Sequence, residues 1–394
     1  MLDFLKLSSL VEQISPDSLE EIKDRDLLVK KALEVFEQAA ADSGLLSKLQ
    51  ENAPWVLWPL AMPLTEESIG YKKAVGPLAR ETKWTAIGVD GSQIMPSHHE
   101  VAGCYLLNAG LVKVPYGLPE PPLLTSIPEL YAKPDDLYPL VNRRRVHIDE
   151  LYVSLERTLF EMELLANTAL ASSGPVLAMM DGSIIPWSLE KMPRGYIDEF
   201  LGRYGGVFDG LRAAGIPLVG YVSRSRSADL INLLRVELCP YELSHCQEHC
   251  GELAEEDFPC SKIWPLTDRV LESRILAIGE RSAVFASASP IVKSMDRPHS
   301  TCFTYLRNES EVARLEFPRY VLDLDFDFVM AATMAQTEKG FGYPLVLAEA
   351  HHQAVIRGPE RERFFEMLGA RMVELGLRQV AVSPKESRKR TSFV

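Results

Sequence analysis

The chain has 394 residues, of which 46% are hydrophobic, so it can bury a sizeable core and is not a disordered protein. Its formal net charge of -13 weighs against a generally basic nucleic-acid binder, because neutralisation of phosphates drives that kind of binding. DNA is not excluded as a ligand, since a local basic groove is sufficient and carboxylates that hold metal ions lower the total charge.

The start of the chain carries no pattern for export or for membrane insertion. Residues 1–13 contain an early acidic residue and lack the long apolar segment of a signal peptide. The longest apolar stretch nearby, residues 55–64, contains two prolines and is too short to cross a membrane. We therefore expect a cytoplasmic protein without membrane contact.

The first 80 residues are predicted to form an N-terminal helical extension and a linker. Apolar residues recur at helical spacing within residues 1–50, whereas residues 52–77 are rich in proline and tryptophan. The rest of the chain, residues 81–394, is predicted to be the catalytic domain.

Strands and helices alternate in this second region, which predicts an α/β fold. A short apolar strand begins at Trp84, another covers residues 175–180, and the pattern of residues 149–171 between them is helical. Residues 115–140 contain many prolines and are predicted to be a loop.

The same tripeptide, Asp-Gly-Ser, follows two of the predicted strands, at residues 90–92 and 181–183. An aspartate at the end of a strand is held on a rigid frame, and two on neighbouring strands can share magnesium or manganese ions. Such ions can activate water and stabilise the leaving oxygen of a phosphodiester. The alternative is that Asp-Gly only forms a turn after each strand. The duplication makes Asp90 and Asp181 the first candidates for metal ligands.

A third carboxylate is expected from the helix between these strands, where Glu161 and Glu163 point to different faces. Glu161 follows Arg157 by one turn, which is the pattern of a solvated ion pair. Glu163 has apolar residues such as Leu159 and Ala166 at helical spacing, and a buried glutamate is costly unless it is paired or binds a metal. We therefore predict Glu163 as the ligand, and the alternative is a glutamate at the edge of the core.

A histidine pair, His351 and His352, lies in a predicted helix near the C-terminal end of the domain. A histidine near a metal can bind it or act as a general acid or base. The alternative is that the pair lies on the helix surface or caps the helix.

Taken in order, several sequence blocks resemble those of the NurA nuclease family. No single block is specific, but their order agrees over roughly residues 84–390. The blocks are Val-Asp-Gly-Ser (89–92), the helix glutamate followed by Met-Asp-Gly-Ser (180–183), Val-Gly-Tyr-Val-Ser-Arg-Ser-Arg-Ser (219–227), Phe-Thr-Tyr-Leu (303–306), Arg-Leu-Glu-Phe-Pro (314–318), and Gly-Tyr-Pro-Leu (342–345) followed by Ala-His (350–351).

The resemblance implies an RNase H-like mixed sheet flanked by helices, and a homodimer with a central channel. It implies manganese-dependent (or magnesium-dependent) DNA cleavage with 5′–3′ exonuclease and single-strand endonuclease activity. NurA proteins act in DNA end resection and double-strand break repair with a HerA-type hexameric ATPase. The N-terminal extension and the cysteine-bearing insert of residues 239–263 are additional to the family core.

Carried onto this sequence, the resemblance implies that Asp90, Glu163 and Asp181 are metal ligands. His351 becomes a metal ligand or a proton-transfer group. These four residues form the predicted catalytic set.

Three further residues are assigned to DNA binding by the resemblance. Arg224 and Arg226 would face the phosphate backbone, which arginine can contact in a bidentate manner, and Tyr305 matches an aromatic position near the site. The alternative is that the arginines are ordinary surface charges.

Four cysteines, at positions 239, 246, 250 and 260, cluster in the acidic insert. Cys246 and Cys250 are spaced for adjacent turns of a helix, but the outer spacings of six and nine residues fit no zinc knuckle. Three states stay open for Cys239, Cys246, Cys250 and Cys260: a structural zinc or iron–sulfur cluster, reduced thiols, or a disulfide.

The sequence contains no Gly-x-x-x-x-Gly-Lys-Ser/Thr motif, so it does not encode an ATPase motor. This favours a subunit that works with a separate motor. Two rival functions stay open: a non-catalytic DNA-end clamp or scaffold for a hexameric translocase, and a metal phosphohydrolase of small nucleotides.

Overall fold

The computed structural model describes residues 3–12, 17–64, 67–95, 103–141 and 144–376. The end of the predicted catalytic domain, residues 377–394, lies outside the described residues. The helices of the described chain are α1 (Phe4–Glu12), α2 (Asp17–Ala41), α3 (Leu45–Asn52), α4 (Pro134–Leu137), α5 (Glu150–Leu170), α6 (Arg194–Ala213), α7 (Asp229–Leu238), α8 (Cys246–Cys250), α9 (Asp268–Ile275), α10 (Pro290–Lys293), α11 (Phe326–Lys339), α12 (Leu345–Ala354) and α13 (Gly358–Glu374). The strands are β1 (Ala61–Pro63), β2 (Lys72–Ala74), β3 (Trp84–Ile94), β4 (Tyr105–Tyr116), β5 (Leu123–Tyr131), β6 (Leu140–Val141), β7 (Arg144–Arg145), β8 (Val176–Asp181), β9 (Leu218–Val222), β10 (Glu280–Ser282), β11 (Phe285–Ser287), β12 (Thr301–Arg307) and β13 (Val312–Pro318).

The chain divides into two compact units that do not coincide with the predicted domains. Unit 1 consists of three segments, Met1–Ala74, Ser223–Val292 and Cys302–Arg314, and the remaining residues form unit 2. The predicted boundary near residue 81 lies close to the end of the first segment. The other two segments were predicted to belong to the catalytic domain, but they pack with the N-terminal helices.

Unit 2 is built on a mixed sheet whose order runs from the end of β13 through β9, β8, β3 and β4 to β5. Strands β3, β4 and β5 form an antiparallel meander, while β8 lies parallel to both β3 and β9. Helices pack against this sheet, so the predicted α/β fold with a mixed sheet flanked by helices is confirmed.

The prediction of a loop over residues 115–140 is wrong, because β5 occupies Leu123–Tyr131. β5 contains Pro128 and stands at the end of the strand order. A proline removes one backbone donor, which an edge strand tolerates on its unpaired side. The prolines that indicated a loop therefore mark an edge strand and the turns around it.

Two helices reach β3 from opposite faces of the sheet, and glycines allow both to approach closely. A Cβ atom on Gly88 would lie 2.6 Å from the carbonyl oxygen of Val346 in α12, and Gly110 in β4 is packed against α12 in the same way. Gly91, three residues after Gly88 and so on the other face of β3, leaves no room for a Cβ beside Glu161 of α5. These contacts set the height of α5 and α12 above the sheet.

Unit 1 combines short strands with α2, α3, α7 and α9 around an apolar core. It also buries a charged network. Arg314 Nη1 donates to Asp229 Oδ2 at 2.8 Å, and Tyr305 Oη donates to Asp268 Oδ2 at 2.6 Å. Asp268 also accepts from the backbone N–H groups of Leu230 and Ile231 at the start of α7, so it anchors that helix from α9.

One carboxyl group near this network is buried without a partner. Glu272 of α9 is 1% exposed, and neither of its carboxyl oxygens has a hydrogen-bond partner among the described residues. Burial, with a smaller effect of Asp268, raises the pKa of Glu272 from 4.5 to about 8. The folded state therefore retains a proton that the unfolded state loses, and stability falls as the pH rises between these two values.

We predict that Glu272→Gln, which removes the charge and keeps the shape, stabilises the protein more in alkaline than in mildly acidic solution. The gain in the free energy of unfolding should be roughly 2 kcal/mol larger at about pH 8.5 than at about pH 6. Denaturant unfolding at the two pH values measures this difference. Glu309→Gln, at an exposed position of the same unit, is the control and should show no such pH dependence. An equal gain at both pH values would contradict the prediction.

Candidate active site

The two Asp-Gly-Ser tripeptides meet because their strands are neighbours. In the parallel pairing of β3 and β8, Val89 lies opposite Met180, so the next residues along the two strands, Asp90 and Asp181, lie side by side. β8 ends at Asp181, where Gly182 turns the chain with a φ of +84°. β3 does not end at Asp90 as predicted but continues to Ile94.

His351 is the predicted histidine that reaches these carboxylates. Its Nδ1 atom lies 2.7 Å from Asp90 Oδ2, and its side chain is 61% exposed. The position of α12 against the glycines of β3 and β4 explains this contact. His352 takes no part in this contact. Its Nδ1 atom lies 3.6 Å from Oε2 of Glu349 on the helix surface.

Tyr343 holds the second aspartate and was not singled out from the sequence. Its Oη donates to Asp181 Oδ1 at 2.6 Å, and its ring packs edge-on against Tyr221. Burial raises the pKa of Asp181, and the hydrogen bond from Tyr343 partly offsets that rise. The only sequence signal was its place in the block Gly-Tyr-Pro-Leu, directly before the helix that carries His351.

Glu161 is the third carboxylate near the aspartates. It is 5% exposed, and its Oε1 atom lies 3.1 Å from Arg157 Nε but accepts no hydrogen bond from the described residues. Burial raises the pKa of Glu161 to about 8, although Arg157 lowers it, and the charges of Asp90 and Asp181 add to the rise. A buried carboxyl group is costly unless it is paired or binds a metal, and here Arg157 is the ion-pair partner of Glu161.

The structure does not place Glu163, the predicted third ligand, with the two aspartates. Its side chain is 40% exposed and accepts hydrogen bonds from Arg203 of α6 at 3.0 and 3.2 Å. The apolar neighbours that suggested burial belong to the adjoining stripe of α5, which faces the sheet together with Glu161. The Arg157 pair, predicted to be solvated, is mostly covered.

These residues fit a hard divalent cation by their chemistry. Magnesium and manganese prefer carboxylate oxygens, and the site offers those of Asp90, Asp181 and Glu161. With the side chains as they stand, no three His, Cys, Asp or Glu groups among the described residues are close enough to hold a metal ion. Binding a cation would therefore require a shift of one or more of these side chains.

The predicted DNA-binding residues differ in exposure. Arg224 and Arg226 are exposed on unit 1, and Arg224 has a φ of +47°, with its backbone N–H donating to Glu311. Tyr305, in contrast, is fully buried, and its hydroxyl donates to Asp268. Its side chain is part of the core of unit 1 and presents no surface to a ligand in this structure.

Three of the four cysteines of the insert are buried thiols, and Cys239 is half-buried. Cys246 and Cys250 bracket α8, which confirms their predicted helical spacing, and Cys260 is buried as well. Burial raises the pKa of all three thiols, that of Cys246 to about 11, so they are neutral without a metal. All four, including Cys239, are free in the structure. A metal at this cluster stays a prediction.

The chain belongs to the NurA family, because the profile of the NurA domain matches residues 85–356. This confirms the resemblance seen in the sequence. The matched region covers β3, β8 and α12, and so contains every residue of the candidate active site. The resemblance also predicted an RNase H-like sheet, and the structure shows a mixed sheet in the order β9, β8, β3, β4 and β5 with helices packed against it.

Three solved structures show distant similarity to this chain. The NurA nuclease from Sulfolobus solfataricus is 14% identical with a TM-score of 0.45, and the match covers 90% of this chain and 98% of that chain. The catalytic domain of human Endonuclease V is 12% identical with a TM-score of 0.32, covering 86% and 98%. LC9-RNase H1 is 10% identical with a TM-score of 0.22, covering 39% and 69%.

A comparison with curated proteins finds no match. In the part of the chain that the structure describes, no helix is both long and apolar enough to cross a membrane.

The contact between Gly91 and Glu161 can be tested by a double-mutant cycle. We predict that Gly91→Ala destabilises the protein by about 1–3 kcal/mol, because the new Cβ overlaps the Glu161 carboxylate. In a Glu161→Ala background the same change should cost much less, since the overlapping group is gone. Denaturant unfolding of the four proteins gives the coupling energy. Equal costs in both backgrounds would show that Glu161 does not lie against Gly91.

Proposed function

We propose that this NurA-family nuclease is a divalent-metal-dependent deoxyribonuclease. The observation that carries the proposal is the side-by-side placement of Asp90 and Asp181 on neighbouring strands, with the buried Glu161 near both and His351 on Asp90. Manganese is the expected ion, with magnesium as the alternative. We further propose 5′–3′ exonuclease and single-strand endonuclease activities, as the family suggests.

In this proposal Asp90, Asp181 and Glu161 hold the cation. When bound, the cation lowers the pKa of water and neutralises charge on the phosphate. Tyr343 fixes the orientation of Asp181 through its hydrogen bond. His351, held by Asp90 at Nδ1 and exposed to solvent, can pass a proton to or from the reacting phosphodiester. Arg224 and Arg226, both exposed, are proposed to contact backbone phosphates.

The cellular role that we propose is DNA end resection in double-strand break repair. The chain lacks a nucleotide-binding P-loop, so a HerA-type hexameric ATPase would supply the motor. A homodimer and a cytoplasmic location are part of the same proposal. The excess of acidic residues is compatible with DNA binding if the basic contacts are local.

The nuclease proposal is tested with end-labelled single- and double-stranded DNA, in the presence of manganese, magnesium or EDTA. Asp90→Asn and Glu161→Gln should each lower the cleavage rate by about 100-fold or more, because each removes a carboxylate from the cation. Glu163→Gln, two residues away on the same helix, is the matched control and should retain most activity. Circular dichroism establishes that each variant is folded.

Loss of activity in Glu163→Gln with retention in Glu161→Gln would contradict the assignment of the third carboxylate. Absence of cleavage by folded wild-type protein, even with a HerA-type ATPase present, would favour the non-catalytic DNA-end clamp.

Tyr343→Phe is expected to slow catalysis by about tenfold while DNA affinity stays unchanged, since the ring remains and only the hydroxyl is lost. The hydrogen bond lowers the pKa of Asp181, so its removal raises that pKa. The acidic limb of the pH–rate profile should therefore move to higher pH. Tyr241→Phe, at an exposed position of unit 1, is the control. An unchanged profile with unchanged kcat would show that Tyr343 does not orient Asp181.

A further inference from the structure

A concave pocket of about 440 Å³ lies in unit 2 beside α12. Its apolar wall includes Ile94, Leu106 and the half-buried ring of Phe364. Polar groups of His352, Gln353 and Arg357 also line it. The volume falls within the usual range for small-ligand sites, which combine apolar walls with a few polar groups.

The pocket continues the candidate active site along two elements. On β3, alternate residues face α12: Asp90 contacts His351, Ser92 Oγ donates to the carbonyl of Ala354, and Ile94 lines the pocket. The four-residue step from Asp90 to Ile94 spans about 13 Å of strand. On α12, His351 lies in the site and the next residues lie at the pocket. A ligand extending from the aspartates along this face would therefore enter the pocket.

Hydrogen bonds fix the floor of the pocket in place. Asn108 Nδ2 donates to the carbonyl of Ala354 at 2.8 Å, and Asn108 Oδ1 accepts from Ser126 Oγ at 2.7 Å. These bonds join β4, β5 and the end of α12. The pocket is thus preformed by the fold, which lowers the cost of ordering it around a ligand.

The chemistry of the lining favours a flat ring with polar edges. Phe364 supplies a half-buried aromatic ring, the amide of Gln353 can donate and accept hydrogen bonds, and the exposed Arg357 supplies positive charge. The acidic residue of the lining, Glu360, is occupied by the backbone N–H of Arg357 at 2.7 Å. A nucleobase within a charged DNA strand has these properties.

We propose that this pocket binds a base of single-stranded DNA one or two nucleotides from the phosphate that is cut. The proposal rests on the proposed nuclease function and names a subsite for its substrate. Stacking on Phe364 is tolerant of base identity, because every base has a π-face. The pocket would therefore require the presence of a base and hold the strand in register over the aspartates.

The test uses single-stranded oligonucleotides that each lack one base, at successive positions, with full-length wild-type protein and manganese. Product lengths give the rate of each cut and its distance from the missing base. A base missing one or two nucleotides from the cut should lower kcat/KM by about tenfold or more. Bases missing further away should have no effect.

Variants of Phe364 separate stacking from a structural role. Phe364→Ala should lower kcat/KM on intact DNA about tenfold and abolish the sensitivity to the missing base. Phe364→Trp should retain both the wild-type kcat/KM and the sensitivity to a missing base. Phe364→Leu, which keeps apolar volume but has no ring, should retain neither. Met367→Ala, at an exposed position of the same helix, is the matched control. Thermal unfolding confirms that the variants are folded.

The outcomes distinguish this proposal from the nuclease proposal. Cleavage that ignores missing bases overturns the base pocket and leaves the nuclease standing, as would be expected if the pocket received a peptide instead. Sensitivity that persists in Phe364→Ala places the base elsewhere and also overturns the pocket. Absence of cleavage on every oligonucleotide contradicts the nuclease, and the base pocket with it.

Discussion

The close approach of two helices to one strand is the constraint on which the candidate site depends. β3 can be reached by α12 only because Gly88 has no side chain, and by Glu161 only because Gly91 has none. These glycines lie on opposite faces of the strand. The first contact places His351 beside Asp90, and the second places the Glu161 carboxyl group against Gly91, near the two aspartates. Larger residues would separate the groups whose proximity makes the site.

The site concentrates acidic groups at a cost in stability that metal binding could recover. Glu161 and Asp181 each have a pKa raised first by burial and then by their acidic neighbours. Without a cation, the protein must keep protons on such groups or bear their repulsion. A dication that bound only the folded state would remove this penalty and stabilise the fold.

Unit 1 also buries carboxylates, but there they serve packing and not a candidate active site. There, Asp229 is paired with Arg314, and Asp268 accepts hydrogen bonds from Tyr305 and from the start of α7. These carboxylates have partners within the core and serve packing. Tyr305 shows why residue type and order alone could not separate the two roles, since a buried core tyrosine and a DNA-contacting tyrosine look alike in a sequence.

The sequence by itself determined the α/β class, the family, and Asp90, Asp181 and His351 as candidates, because periodicity, turn residues and the order of the blocks are local features. Tertiary structure placed Glu161 against Gly91 and Glu163 against Arg203, and the apolar neighbours on α5 did not reveal which glutamate faced the sheet. It also placed Tyr343 on Asp181, assembled unit 1 from three distant segments, and turned a proline-rich stretch into an edge strand. These outcomes depend on contacts between residues far apart in the chain, which no local pattern encodes.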